Sequence, residues 1–512
     1  MAYNELVLAV MLTVRFANLN WSELIMARGN TSRTWRALLI ALCCTAFTIA
    51  GCPSSSSLDS ESALVDASGA LAGTVGSPDR AVTDPPRPEV PPTPVREPTF
   101  APPDISDIGE TSVDPSAPGE PAAPVPGISP IRPGQTQSGT LTAGSFDDNL
   151  NFDAFRAFLD DLMQNDTEGR LPAISPGKRF VITVSNESGD PIGDARVVVT
   201  DRDNDDAQAQ PLLNLTTGSD GRVLLLTGID GGGEVETFNV TVHPPDGSDA
   251  VSVTYGADEP EWNVTLQGVE SAPPLQLDLA FVVDATGSMS DELEFLKVEI
   301  DAIAAAVSDR FPHVDQRYAL IVYRDDGDEY VTRTFDFDPS LEQFQTTLAA
   351  QRAAGGGDYP EAMHLALEQT AELSWRETGT ARMTFLIADA PPHNEHAQRA
   401  FDAIVALRQQ GLAIYPVAAS GAATETELIM RAAAMLTLSE YLFLTDDSGV
   451  GNSHEEPSIP CYHVQRLDRV MIRMIAGELA GQRVQPDPDH IIRTVGNPID
   501  GVCMDEQGDG GG

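Results

Sequence analysis

The sequence predicts an α/β domain with a doubly wound, mostly parallel sheet over residues 273–482. Short apolar segments alternate there with amphipathic helical segments, and this alternation is typical of parallel sheets covered on both faces. The first apolar segment, Leu277–Val283, is almost continuous, as expected of a central strand. Because ligands of such sheets bind beyond the carboxyl ends of the strands, the loops at those ends are where a functional site is expected.

The elements of this domain are predicted from their apolar patterns, taken in chain order. Strands are expected near 277–283, 318–323, 330–337, 383–388, 412–418 and 441–444. Helices are expected near 291–308, 340–350, 363–369, 395–409, 425–436 and 464–479.

The loop after the first strand presents oxygen ligands at alternate positions. Asp284, Thr286 and Ser288 supply one carboxylate and two hydroxyls, and a helical segment follows at once. Ligand sets made only of oxygen suit hard cations such as Mg²⁺, Mn²⁺ or Ca²⁺ and do not suit zinc or copper. This loop alone is weak evidence, because loops rich in serine and threonine are common between strands and helices.

Two further segments complete the pattern. A glycine-rich turn carries Asp358 and leads into a helix, and the strand Met383–Ala388 ends in Asp389. Together the three segments resemble the von Willebrand factor A (vWA) domain, a Rossmann-like α/β fold, and its metal-ion-dependent adhesion site. The resemblance covers roughly 275–480, and Asp358 stands where the family usually has threonine.

The resemblance implies a cation site formed by Asp284, Thr286, Ser288, Asp358 and Asp389, with Mg²⁺ as the expected cation and Mn²⁺ or Ca²⁺ as alternatives. In the family the hydroxyls contact the cation directly, the aspartates act mostly through water, and an open position captures a carboxylate from a partner protein. If Asp358 coordinates directly, its charge weakens that capture and tightens retention of the cation. If it acts through water, the adhesive mode is retained; the sequence leaves both alternatives open.

The N-terminal residues 1–51 resemble a bacterial lipoprotein signal peptide. Three arginines between 28 and 36 precede an apolar segment over 37–49, which is too short for a comfortable membrane span and ends in Ile-Ala-Gly-Cys52. The resemblance implies that Cys52 is acylated and becomes the first mature residue. Met26 is expected to be the true start, and a longer leader is the alternative.

The predicted location is the bacterial cell envelope, with the chain anchored to the membrane through Cys52. The residue directly after this cysteine is Pro53 and not an aspartate. By the family rule this indicates the outer membrane, on its periplasmic or surface face. Residues 52–136 are rich in proline and serine and poor in large apolar residues, so a disordered, extended spacer is expected there.

Two smaller units are predicted between the spacer and the α/β domain. Residues 137–175 contain an aromatic-rich amphipathic helix near 152–163 and are expected to form a helical docking segment. Residues 176–272 hold short strand-like segments separated by turns, which indicates a β-sandwich of the immunoglobulin-like or carboxypeptidase-regulatory-like kind. Its expected role is to present the α/β domain.

The cysteines that remain after export are Cys461 and Cys503. In an oxidising compartment such a pair predicts a disulfide, which would tie the C-terminal tail over 483–512 back to the α/β domain. Two independent thiols are the alternative.

The composition excludes one class of partner. The formal net charge of −46 makes nucleic acid an improbable ligand, because phosphate binding needs stripes of lysine and arginine.

Three functions follow from these observations. The favoured one is a membrane-tethered protein that binds a divalent cation and an unidentified protein ligand, through an acidic residue of that ligand. The second is a structural scaffold whose cation only supports the fold. The third is a metal-assisted hydrolase that uses His393 and His396 beside Asp389. Because motifs for nucleophilic, phosphate-binding or zinc chemistry are missing, no enzymatic activity is expected.

Overall fold

The structure is a computed structural model that describes residues 137–204, 210–357, 359–450, 454 and 457–504. These residues all belong to one compact unit. The predicted signal peptide over 1–51, the acylation site Cys52, the spacer over 52–136 and the predicted ligand Asp358 lie outside the described residues. Within the described segments, no helix combines the length and the apolar character needed to span a membrane.

The strands of the described residues fall into a larger and a smaller module, with one short hairpin besides. In chain order they are β1 (Thr142–Phe146), β2 (Arg179–Asn186), β3 (Arg196–Asp201), β4 (Leu213–Thr216), β5 (Arg222–Leu226), β6 (Thr237–His243), β7 (Val251–Gly256), β8 (Glu261–Leu266), β9 (Gln276–Asp284), β10 (Asp315–Tyr323), β11 (Thr332–Asp338), β12 (Thr380–Ala388), β13 (Ala413–Ala418), β14 (Tyr441–Thr445), β15 (Tyr462–Arg466), β16 (Arg493–Val495), β17 (Pro498–Ile499) and β18 (Val502–Cys503).

The helices belong to the larger module. They are α1 (Phe152–Asn165), α2 (Leu293–Arg310), α3 (Leu341–Ala349), α4 (Met363–Ala371), α5 (Ala397–Gln409), α6 (Thr424–Leu436) and α7 (Leu467–Ala480).

The larger module has a nine-stranded mixed sheet in the order β11-β10-β9-β12-β13-β14-β1-β15-β16. Strands β10, β9, β12, β13 and β14 are parallel neighbours, and antiparallel strands extend the sheet on both sides. Helices α2, α3 and α7 cover one face and α1, α4, α5 and α6 cover the other, each over its own hydrophobic core. The predicted α/β fold is therefore observed, with a mixed sheet.

Strand β1 was not predicted, and it changes the boundaries of the domain. It precedes the smaller module in the chain, yet it lies between β14 and β15 and is antiparallel to both. The predicted helical docking segment over 137–175 thus contains the expected helix but also, before it, a strand of the main sheet. The physical reason is that β1 contains Gly144, whose missing side chain makes room for the rings of Phe443 and Tyr462, so its sequence lacks the usual apolar pattern of a strand.

The start of β1 is also held by a buried carboxylate. Glu299 of α2 accepts hydrogen bonds from the backbone N–H groups of Gly139, Thr140 and Leu141, at 2.8 to 3.1 Å. These bonds satisfy donors that lie before the strand ladder begins, so they fix where the chain enters the sheet.

The C-terminal boundary at 482 also differs from the prediction. Strand β16 belongs to the predicted tail but pairs with β15 and so extends the main sheet. Cys461 and Cys503 form a disulfide with their Cα atoms 5.5 Å apart, which links the last described residues to the residue before β15. The expected helix near 464–479 begins later, at Leu467, because β15 takes up its first residues.

The smaller module consists of two sheets around one hydrophobic core. One sheet has the order β5-β2-β8 and the other β4-β3-β6-β7. Trp262 is fully buried between them, and its ring centroid lies 4.6 Å from that of Phe180 and 5.1 Å from that of Phe238.

Polar contacts join the two modules. The guanidinium of Arg408 on α5 binds both carboxylate oxygens of Asp230, at 2.8 and 3.1 Å, and donates to the backbone oxygen of Leu224. Ser219 donates to Glu478 of α7 at 3.1 Å. Because Arg408 and Asp230 are nearly buried, this pair fixes the smaller module to the helical face of the larger one.

Candidate metal centre

The loop after β9 places three predicted ligands in one chain of hydrogen bonds. The hydroxyl and the backbone N–H of Thr286 donate to one carboxylate oxygen of Asp284, at 2.7 and 2.9 Å. The hydroxyls of Thr286 and Ser288 are 3.1 Å apart. Asp284 and Thr286 are fully buried whereas Ser288 is exposed, so the site opens to solvent on the serine side.

The glycine-rich turn packs directly against this loop. Gly287 donates its backbone N–H to the carbonyl oxygen of Gly355 at 3.0 Å. Gly355 and Gly356 both have positive φ, and a Cβ atom on Gly356 would lie 2.7 Å from Glu361 and 3.2 Å from Thr286. Glycine is therefore required here both for the backbone conformation and for the close approach of the two loops.

The loop after β12 brings the third predicted segment to the same edge. Asp389 follows the last residue of β12 and is 3% exposed. The hydroxyl of Tyr359 donates to the backbone oxygen of Asp389 at 3.1 Å and to that of Gly421 at 2.9 Å. Tyr359 thereby connects the glycine-rich turn to the loop after β12, while its side chain stays partly exposed.

Glu361 is a residue of this site that the ligand prediction missed. It is 2% exposed, and one of its carboxylate oxygens has no hydrogen-bond partner among the described residues. Its backbone N–H donates to Pro391, which holds it against the loop after β12. Its position shortly after the glycine-rich turn was the available signal, because that turn was already expected at the site.

The carboxylates of this edge repel one another. Burial and the charge of Asp389 raise the pKa of Asp284 to about 7. Burial, followed by the charges of Asp284, Asp325, Asp389 and Asp328, raises the pKa of Glu361 to about 9. Several buried carboxylates that face each other need protons, a cation or another counter-charge to neutralise them.

These residues fit a hard cation. One oxygen of Asp284 is buried without a hydrogen-bond partner in the described part of the chain, as is one oxygen of Glu361, and both belong to the same electrostatic cluster. No group of three or more His, Cys, Asp or Glu within the described ranges is arranged to hold a metal by itself. The predicted site also includes the hydroxyls of Thr286 and Ser288, and the cation itself is a prediction.

The two histidines of the hydrolase alternative have separate contacts. A ring nitrogen of His393 lies 2.7 Å from a carboxylate oxygen of Asp325. The ring of His396 packs against the buried ring of His364, with centroids 4.2 Å apart. The first contact positions Asp325 beside the site, and the second belongs to the packing of α4 against the next helix.

The raised pKa values predict how stability depends on pH when a chelator is present. Asp284 and Glu361 have native pKa values of about 7 and about 9, above their ordinary values of 3.8 and 4.5. The native state therefore binds more protons than the unfolded state between these limits, and the free energy of unfolding falls as pH rises through this range. We expect thermal unfolding in EDTA to show a lower Tm at pH 8.5 than at pH 5.5.

The variant Glu361→Gln provides the control for this pH effect, because it removes one of the two titrating groups. Its Tm in EDTA should fall less between the two pH values than that of the unaltered chain. Saturating Mg²⁺ should raise the Tm more at pH 8.5 than at pH 5.5, since the cation replaces protons that are then absent. Equal pH dependence of the two chains in EDTA would contradict the assignment.

The comparison with protein families identifies the larger module. Residues 278–449 match the family model of the von Willebrand factor A domain, which supports a vWA domain in this part of the chain. The model's range begins at the third residue of β9 and ends shortly after β14, and it includes all three loops of the candidate site.

Two curated relatives match about a quarter of the chain. The alpha-protein kinase vwkA of Dictyostelium discoideum is 34% identical over 118 residues, which are 23% of this chain and 19% of that protein. The ariadne-like RING finger protein R811 of Acanthamoeba polyphaga mimivirus is 32% identical over 123 residues, 24% of this chain and 12% of that protein. The matched stretch thus spans less than a fifth of either relative's length.

Solved structures with a similar arrangement include two bacterial proteins. The protein BatB of Bacteroides thetaiotaomicron is 12% identical with a TM-score of 0.29, covering 40% of this chain and 98% of that one. The pilus adhesin SpaC of Lactobacillus rhamnosus GG is 10% identical with a TM-score of 0.30, covering 48% of this chain and 32% of that one.

Proposed function

We propose that this protein is a lipid-anchored protein of the bacterial cell envelope whose vWA domain binds a divalent cation and, at the same edge, a partner protein. vWA domains generally mediate protein–protein interactions, which supports the second part of the proposal. The observation that carries the first part is the group of buried carboxylates, including Asp284 and Glu361, at the carboxyl ends of the parallel strands.

The proposed ligands of the cation are Asp284, Thr286, Ser288 and Asp389, with Asp358 from the glycine-rich turn. Mg²⁺ is the favoured cation and Mn²⁺ or Ca²⁺ are alternatives, because each prefers oxygen ligands. A bound cation supplies a positive charge that can hold a carboxylate of a partner. The chain's own residues do the rest: Thr286 orients Asp284, and Ser288 forms the exposed side at which a partner can approach.

Glu361 affects whether the site is adhesive or only holds a structural cation. As a further carboxylate near Asp284, it would offset the positive charge of the cation and weaken the capture of an acidic partner. The adhesive function then requires Glu361 to be protonated or to bind through water, whereas direct coordination favours the scaffold with a structural cation. Tyr359 offers a partly exposed aromatic ring at the rim, which suits contact with a protein partner in either case.

Calorimetric titration of the fragment 137–512 with Mg²⁺, Mn²⁺ and Ca²⁺ tests the cation site. We expect binding that Ser288→Ala weakens by about tenfold or more, which corresponds to about 1.4 kcal/mol for a lost ligand. The matched control is Ser290→Ala, an exposed serine of the same loop that is outside the ligand pattern. Equal binding by the two variants, or no binding by the unaltered fragment, would overturn the proposal.

The variants Asp358→Thr and Glu361→Gln distinguish the adhesive site from the structural one. If either carboxylate coordinates directly, its removal should weaken cation binding and lower the Tm measured with Mg²⁺. If cation binding is unchanged in both variants, the cation keeps its open position and its charge. Binding of acidic peptides that requires Mg²⁺ and fails in Ser288→Ala would then support the adhesive function.

The membrane anchor is a separate part of the proposal. It rests on Cys52 and the apolar segment before it, and the spacer over 52–136 would hold the folded modules away from the membrane. Expression of the full chain in a bacterium with labelled palmitate should label the chain, whereas Cys52→Ser should remain unlabelled and leave the membrane fraction. Labelling of Cys52→Ser would contradict this assignment.

The smaller module is proposed to be a β-sandwich of the immunoglobulin-like or carboxypeptidase-regulatory-like kind, with a presenting role. Its two sheets around the Trp262 core and its ion pair with the vWA domain through Asp230 support that role.

A further inference from the structure

A cavity of about 580 Å³ lies between the smaller module and the vWA domain. Its lining includes the first residues of β9, β12 and β13, so it is at the amino ends of the parallel strands, opposite the candidate metal centre. Cavities of this size between modules are common places for small-molecule sites.

The vWA side of the cavity presents Arg382, an arginine whose Nε has no hydrogen-bond partner among the described residues. Arg382 on β12 is in register with Asp278 on β9, and Asp278 is in register with Arg317 on β10. The carboxylate of Asp278 is already taken, because Arg317 and Arg376 each bind it at 2.6 to 2.9 Å. Arg382 is therefore the third arginine beside one occupied carboxylate.

The guanidinium of Arg382 makes no hydrogen bond and no ion pair within 4.0 Å among the described residues, and its buried Nε has no acceptor. Burial lowers its pKa from the ordinary value, although the charges of Asp194, Asp278 and Glu377 act in the opposite direction. Gly411 contributes to the space around it, because a Cβ atom there would lie 2.8 Å from a terminal nitrogen of Arg382. A half-buried guanidinium without a hydrogen-bond partner can bind an anionic group.

The rest of the cavity offers an apolar wall. Leu412 and Leu436 are buried beside it, and Leu438 lines it with a positive φ of 56°, a conformation that is costly for leucine. The nearest acidic group of the smaller module, Asp194, also has a positive φ, and its carboxylate accepts the backbone N–H of Gly379 at 2.6 Å. The lining also contains the carboxylates Asp220, Glu270 and Glu478 and two more arginines, Arg222 and Arg408, each of which binds a carboxylate. Among the described residues, Arg382 is the lining arginine that has no such ion pair, and together with the leucines it suits a ligand with an anionic group and an apolar body.

We infer that this cavity binds a small molecule with one anionic group, a carboxylate or a phosphate, on an apolar body. Arg382 binds the anionic group through its guanidinium nitrogens, and the leucines contact the apolar body. The cavity volume of about 580 Å³ limits the ligand to a small molecule. Asp389 is seven residues after Arg382 along β12, about 23 Å at ~3.3 Å per residue, so this site is distinct from the cation site.

Calorimetry of the purified full chain with 4-phenylbutyrate, phenyl phosphate and the neutral 4-phenylbutanol tests the inference. We expect at least one anion to bind, with an affinity about tenfold or more above that of the alcohol. Preference for the carboxylate or for the phosphate would identify the natural anionic group. Arg382→Gln should weaken anion binding by about tenfold, and Arg382→Lys should retain part of it because the charge remains.

The matched control is Arg469→Gln, which removes an exposed arginine of α7 that is paired only with the neighbouring Asp468. This control should bind the anion as the unaltered chain does, and Mg²⁺ binding should be the same in all of these variants. Equal binding of the alcohol and the anions would overturn the inference, as would anion binding that survives Arg382→Gln. No binding by either anionic probe up to about 10 mM would overturn it as well.

Discussion

A fragment that begins at residue 273 will not form a stable vWA domain, although the family pattern begins near that residue. It lacks β1, which has strand partners on both sides, so its removal leaves two unpaired strand edges inside the sheet. It also exposes the surface that Leu141, Ala143 and Phe146 cover. Loss of Phe146 alone is expected to cost about 3–5 kcal/mol, a large part of the 5–15 kcal/mol that stabilises an ordinary domain.

The measurement compares two fragments, 137–504 and 273–504, by thermal unfolding and by near-UV circular dichroism. The longer fragment should unfold cooperatively, and the shorter one should be insoluble or lack fixed tertiary packing. Because the shorter fragment also lacks the smaller module, Gly144→Val within 137–504 isolates the strand. A Cβ atom there would lie 2.3 Å from the ring of Phe443, so we expect a loss of about 3 kcal/mol. Equal stability of Gly144→Val and the unaltered fragment would contradict the role of β1.

Replacement of Arg431 by methionine should destabilise the protein by about 3–5 kcal/mol. Arg431 on α6 is fully buried and binds the carboxylate of Asp148, also fully buried, at 2.6 Å. It also binds Glu427 at 2.9 Å and the backbone oxygen of Ser458 at 3.2 Å. Without the arginine, two carboxylates remain buried without a counter-ion, which is far more costly than the loss of one exposed ion pair.

The pH dependence of the lost stability distinguishes buried carboxylates without a counter-ion from a simple loss of packing. Burial already raises the pKa of Asp148, and Arg431 is the group that opposes this rise. In Arg431→Met the pKa of Asp148 rises further, so at low pH its carboxylate is protonated and no longer repels Glu427. The loss of stability should therefore be smaller at pH 5 than at pH 8. The control Arg399→Met breaks a solvent-exposed pair with Glu368 and should cost less than about 1 kcal/mol. A loss independent of pH would assign the effect to packing instead.

The strands from β9 to β14 could be predicted because each carries its own apolar pattern. β1 could not, because its residues Thr-Ala-Gly-Ser-Phe have no such pattern. Their strand conformation depends on β14 and β15, and above all on rings that occupy the space beside Gly144. Tertiary contacts thus decide the conformation of a segment whose own propensity is weak. The same holds for β16. Its three residues pair with β15, part of which was predicted to be helical.

Some residues of the candidate site could be predicted from the sequence, and others could not. Asp284 and Asp389 follow strands with strong patterns, so the topology of a parallel sheet brings them to one edge. Glu361 was left out of the predicted ligands because the sequence does not distinguish it from any other carboxylate beside a cation. Asp325 and Asp328 follow β10 at the same edge, and the rule used for Asp389 would have found them. The sequence does not show that these carboxylates repel one another, because that repulsion depends on their burial.

The position of β1 also sets the order of events during synthesis. Thr142 pairs with Thr445, 303 residues later, so the first strand of the sheet leaves the ribosome long before either of its neighbours. At roughly 5–20 residues per second, this delay is about 15–60 s. Throughout it, β1 and its helix α1 lack the strands and helices that cover them in the folded protein. The nascent chain therefore depends on whatever protects a short exposed segment until β14 and β15 have been synthesised.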